Sequence, residues 1–124
     1  MLETLSFILQ AIVGLGLLNV WLLRAGQETG YRGGGSDSLR GEFQAYGLPS
    51  AVFYGVGFLK ITGGIALIAG IWIPTLVVPA ASVIAALMVG ALAMHLRVGD
   101  PPKKSVPALL MLGMSAAVAA LNLA

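Results

Sequence analysis

The sequence predicts an all-α integral-membrane protein, a four-helix bundle with a short interfacial helix in its first loop. Three observations lead there. Of the 124 residues, 58% are hydrophobic and 10% are charged, whereas a soluble domain carries about a quarter charged residues. The mean hydropathy is +0.94. The apolar residues also gather in four runs of about 20, the length that crosses a hydrocarbon core as a helix. These observations predict one transmembrane domain over residues 1–124, with spans at about 4–23, 50–72, 75–96 and 106–124 and a loop at 25–48. The spans and the loop use up the chain, so no room is expected for a soluble catalytic domain.

The first span follows Met1-Leu2-Glu3 and is closed by Trp21 and Arg24. It lacks the basic start and small-residue cleavage site of a secretory signal, and is expected to be retained. The loop is rich in glycine and charge. Gly33-Gly34-Gly35-Ser36 reads as a turn or flexible stretch. After it, Asp37 or Ser38 can cap a short helix through Tyr46, with Gly47 as a left-handed stop and Pro49 as a block. Leu39, Phe43 and Tyr46 share one face of that helix, with Glu42 beside them. It is expected to lie on the membrane surface or plug the mouth of the bundle.

The second and third spans are separated by Ile73-Pro74-Thr75, which predicts a tight helical hairpin. Asp100-Pro101-Pro102 marks the turn before the fourth span, where Pro107 is tolerated in the first helical turn. Arg24, Arg32, Arg40, Arg97, Lys103 and Lys104 all flank or occupy the first and third loops. The positive-inside rule therefore predicts cytoplasmic loops one and three, both termini outside, and an inner-membrane location.

Helices in lipid associate through small residues. Thr62, Ala66 and Gly70 are spaced four apart in the second span, Ser82, Ala86 and Gly90 in the third, and Gly113 and Ala117 in the fourth. These, with Gly57, Gly63 and Gly64, are the expected helix-packing positions.

Lys60 is the most informative polar residue. It lies about 11 residues into the second span, roughly 16 Å from its start, with Gly57, Gly63 and Gly64 at helical spacing. A charge at that depth costs about 2.5–3.5 kcal/mol, so Lys60 is expected to point into the bundle. As a pocket floor it would donate to a quinone carbonyl, a carboxylate or a lipid headgroup. The bland alternative is a lysine that snorkels or bonds glycine carbonyls. His95, the one histidine, falls near the cytoplasmic end of the third span, where an interfacial hydrogen-bonding role is the simpler reading.

Asn19 and Gln10 point roughly opposite ways on the first span, so both amides cannot face one cavity. Glu42 either pairs with Arg24 or Arg97 or closes a pocket with His95 and Asn19. Trp21, Tyr31 and Trp72 read first as interface anchors. The expected ligand-binding set is thus Lys60, Glu42, Asn19 and His95.

Cysteine is absent, which excludes disulfide, thiolate-metal and iron–sulfur chemistry in this chain. No phosphate-binding loop, dinucleotide fingerprint, paired intramembrane carboxylates or metal-ligand spacing occurs. A stand-alone enzyme or pump is not expected, and nor is nucleic-acid binding, for want of a basic stripe with interleaved aromatics. A channel or transporter role fits poorly because the spans lack a polar stripe.

Several strings together resemble the DoxX-like membrane proteins. They are Asn19-Val20-Trp21-Leu22-Leu23-Arg24, Thr29-Gly30-Tyr31-Arg32-Gly33-Gly34, Glu42-Phe43-Gln44-Ala45-Tyr46-Gly47-Leu48-Pro49, Phe58-Leu59-Lys60-Ile61-Thr62-Gly63 and Met94-His95-Leu96-Arg97-Val98-Gly99-Asp100-Pro101. The resemblance implies a four-span bundle in the setting of membrane complexes that handle thiols or thiosulfate and pass electrons toward quinone. It carries over no catalytic residue set.

The combined expectation is a small membrane subunit associated with a redox complex, without activity of its own. It would hold a hydrophobic ligand such as quinone, or a lipid, between its helices. The alternative is a non-catalytic accessory scaffold docking onto a larger respiratory or pigment assembly. The expected partners are the bilayer and other membrane-protein subunits.

Overall fold

The computed structural model describes residues 2–24, 26, 33–35 and 38–123. Every regular element among them is helical. Helix α1 (Leu2–Leu18) continues into a π-helical turn, Asn19–Leu23. A short α2 (Leu39–Ala45) precedes α3 (Ser50–Ala69), α4 (Val77–Arg97) and α5 (Val106–Leu123). Single 3₁₀ turns, Pro74–Leu76 and Pro102–Ser105, lead into α4 and α5. Four helical stretches are long and apolar enough to span a membrane: Leu2–Leu23, Ser50–Ala69, Pro74–Arg97 and Pro102–Leu123. The protein is a multi-pass membrane bundle.

The long helices pack as a ring in which α1 meets α3, α3 meets α4, α4 meets α5 and α5 returns to α1. The start of α1, the end of α5 and the α3–α4 turn lie at one end, and α2 and the α4–α5 turn at the other. Between them runs an apolar core of Val13, Leu17, Leu67, Ala81, Ile84, Met88 and Val118. Large side chains such as Leu15, Phe58, Ile65 and Leu109 are exposed around the perimeter. In water that pattern would be costly, whereas in lipid it is the ordinary covering of a span.

Helices α1 and α3 cross closely at Gly14 and Gly64. A Cβ on Gly14 would lie 2.7 Å from the Gly64 carbonyl oxygen, and one on Gly64 3.2 Å from that of Gly14. Small residues let the backbones touch and gain dispersion contacts that lipid tails cannot give. Ile84 of α4 sits against Gly63 in the same way.

The small-residue row on α4 lies elsewhere. Ser82, Ala86 and Gly90 are exposed, and open space surrounds the Cβ position of Gly90. Their spacing does place them on one face, but that face looks out of the bundle. Gly113 on α5 is also exposed, with open space at its Cβ position.

Candidate functional site

The polar and aromatic side chains converge at the loop end, and local backbone chemistry brings them there. Ser38 starts α2 as its N-cap: its Oγ accepts from the Gly41 N–H at 3.0 Å. Gly47, at φ 75°, ends it. The Gly47 N–H donates to Gln44 O and the Leu48 N–H to Phe43 O, both at 3.0 Å, so the carbonyls of the last turn are satisfied in a Schellman stop. This capped helix buries Leu39, Phe43 and Tyr46. It also presents Glu42 to the bundle mouth.

Helix α4 ends by the same device. Gly99 has φ 72°. Its N–H donates to Leu96 O at 3.2 Å, and that of Asp100 donates to His95 O at 3.0 Å. The reversal lays the Asp100 carboxylate back over His95, with His95 Nδ1 2.7 Å from Asp100 Oδ2. An ionised carboxylate accepts only, so Nδ1 carries the proton and donates. Asp100 also accepts from the Gly34 N–H, at 3.0 and 3.2 Å to its two oxygens. Lys104 Nζ stands 3.8 Å from Asp100 Oδ1.

Burial pushes the Asp100 carboxyl up from the ordinary carboxylate value. Hydrogen bonds from His95 and from the Gly34 amide, with the charges of His95 and Lys104, outweigh it and hold the group below that value. The first loop is thereby tied to the α4–α5 turn.

The two motifs meet through an aromatic contact. Tyr46 Oη donates to Glu42 Oε1 at 2.7 Å. The Tyr46 ring meets the buried His95 ring edge-on, with centroids 6.0 Å apart. Below them Trp21 packs on Phe43 and Phe53, at 6.0 and 5.4 Å between centroids. Lys60 Nζ lies 5.5 Å from the centroid of the Trp21 ring, a cation–π contact worth about 0.5–2 kcal/mol depending on its desolvation. Gly57 makes room for this layer, because a Cβ there would fall 2.7 Å from Trp21 Cζ3.

Of the residues expected to bind a ligand, the structure gathers Lys60, Glu42 and His95 around Tyr46 and Trp21. Asn19 is not with them. It is exposed on the outside of the bundle, and its carbonyl oxygen accepts the Arg24 N–H at 3.0 Å to close the π-helical turn. Trp21 also departs from its expected role. It is 8% exposed and part of the core under α2, whereas Trp72 is 75% exposed in the α3–α4 turn. Tyr31 lies outside the described residues.

Gln10 bonds to Leu67 O at 2.9 Å, seven residues along α3 from Lys60. That separates the two groups by roughly 10 Å of helix rise. Asp100 and Tyr46 were missed as site residues. The readable signal for Asp100 was Gly99, just past the end of α4, which folds Asp100 back over His95 five residues earlier.

Among the described residues no group of three or more His, Cys, Asp or Glu side chains is placed to hold a metal ion. No curated protein and no solved structure matches the chain significantly. A family model, that of the DoxX-like family, matches residues 16–118, which include the π-helical turn, α2, Lys60, His95 and Asp100. With most of its length matched and four apolar helices to span the bilayer, the chain belongs to the DoxX-like family.

Proposed function

We propose that this protein is a small membrane subunit associated with a redox complex, and that Lys60 holds the polar head of a hydrophobic ligand such as a quinone. The observation that carries the reading is the place of Lys60, ten residues into α3 beside the Trp21 face. An ammonium in a span is costly enough that it is retained mostly where it serves a ligand or proton path. A quinone carbonyl would accept from Lys60, with Glu42, Tyr46, His95 and Asp100 as the polar groups between that head and the loop side.

In this reading loops one and three face the cytoplasm and both termini lie outside. The support is the placement of Arg24, Arg40, Arg97, Lys103 and Lys104 at the loop end.

The test is binding of a quinone analogue to the purified protein. Lys60→Ala should weaken it at least ~10-fold, the loss of one charge-assisted hydrogen bond. Unchanged affinity in a folded variant would remove the reading.

The outward row of Ser82, Ala86 and Gly90 favours a second reading, in which α4 docks onto a larger membrane assembly. Its test is a stoichiometric partner retained in mild detergent by a bundle that binds no ligand.

A further inference from the structure

The opposite end of the bundle holds a separate cavity of about 300 Å³ between the start of α1, the α3–α4 turn and the end of α5. Its polar floor is fully ordered by internal hydrogen bonds. Gln10, 1% exposed, donates through Nε2 to Leu67 O at 2.9 Å. Ser6 Oγ donates to Gln10 Oε1 at 2.7 Å. Asn122 Nδ2 donates to Ser6 Oγ at 2.9 Å and to Val118 O at 2.8 Å. Both amide orientations are fixed, since each faces a backbone carbonyl that can only accept.

Counting donors against acceptors gives the pocket its chemistry. The Ser6 hydroxyl proton and both Asn122 amide protons are spent inside the floor. The groups left over are mostly acceptors: Asn122 Oδ1, a second lone pair on Ser6 Oγ and the carboxylate of Glu3, against one remaining side-chain donor, the second Nε2 proton of the buried Gln10. Glu3 is exposed and lines the cavity. Among the described residues no hydrogen bond or ion pair engages it. Phe7, Ile71 and Leu121 supply apolar walls. Trp72, exposed in the adjoining turn, marks this end as lying at headgroup depth, where amphipathic rings settle.

From this surplus of acceptors beside apolar walls, we infer that the cavity at the termini end binds a primary ammonium carried on an apolar chain, as in an aminophospholipid headgroup. An ammonium brings three N–H donors and no acceptor, and so complements what Glu3, Asn122 and Ser6 leave unused. A trimethylated headgroup carries the same charge without the donors and would fit poorly. The site is distinct from Lys60 and does not depend on the reading of the loop end.

The inference is tested by native mass spectrometry of the full chain, released from nanodiscs of equal parts phosphatidylethanolamine and phosphatidylcholine. Phosphatidylethanolamine adducts should exceed phosphatidylcholine adducts by about tenfold, and Glu3→Gln should erase most of that preference. Glu3 is exposed, so the variant leaves the core intact, and Ser6→Ala provides a second test from the floor. Displacement of the lipid by free ethanolamine would assign the ammonium to a soluble source, and its persistence would assign it to the lipid. Both outcomes uphold the ammonium site. Equal retention of the two lipids, or a preference that survives both substitutions, overturns it.

Discussion

Gly57 controls the layer that holds Lys60. Its missing side chain lets the Trp21 ring lie against α3, and the ring in turn carries the ammonium on one face and Phe43 and Phe53 on others. Gly57→Val should overpack this contact and cost about 1–3 kcal/mol. Trp72 is the second of two tryptophans, so a Trp72→Phe background isolates Trp21. In that background Gly57→Val should red-shift the emission of Trp21 and lower the unfolding midpoint in detergent, and an unchanged spectrum would contradict the contact. Residues of this kind are only partly legible in a sequence. A glycine at helical spacing from an intramembrane lysine announces a close approach, but not which ring approaches. Trp21 in particular looks like an interface anchor by type. It becomes core because α2 folds over it, which only the three-dimensional path of the loop reveals.

Among the elements, the short helix α2 was the most readable and the π-helical turn the least. Ser38, Gly47 and Pro49 each carry a backbone preference that fixes a start or a stop, and the buried face of Leu39, Phe43 and Tyr46 follows from the 3.6-residue repeat. No residue in Asn19–Leu23 has an intrinsic preference for the wider turn. Within it Asn19 is exposed and Trp21 buried, so Asn19 stands apart from Lys60, Glu42 and His95.

The Gly34 amide bonded to Asp100 joins the first loop to the α4–α5 turn. The Asp100 carboxyl is held below its ordinary value of 3.8. Its ionised form therefore stabilises the docked loop fully above that value, and the stabilisation is lost as pH falls through the lower folded value. The Gly34 amide should be protected from hydrogen exchange at pH 5 and pH 7 alike and lose protection only in stronger acid. Asp100→Ala should speed its exchange roughly tenfold at neutral pH, the worth of one such hydrogen bond. Equal exchange in the two proteins would show that the carboxylate does not hold the loop.

For the whole molecule, the four-span bundle was legible because lipid imposes a single strong rule, that backbone polar groups be satisfied within each span, and composition reports it directly. The membrane orientation rests on a charge asymmetry and can be tested on this chain without removing native thiols, since it has no cysteine. In oriented vesicles, Ser38→Cys and Lys103→Cys should react with an impermeant maleimide from the same face, and Trp72→Cys from the other. Labelling of positions 38 and 103 from opposite faces would break the four-span arrangement. Sequence composition did not say which small-residue row would be inside. Gly14 meets Gly64 at the centre, whereas Ser82 and Gly90 stay outside, because the ring order of helices decides which faces meet.

The central functional claim is that the Lys60 ammonium is kept within the bilayer to hold a ligand, and a density map of the protein in lipid nanodiscs tests it most directly. Elongated non-protein density should lie beside Trp21 and end within about 3 Å of Lys60 Nζ. A well-ordered Lys60 bonded only to protein, with no such density and a second membrane chain seated on Ser82 and Gly90, would contradict it.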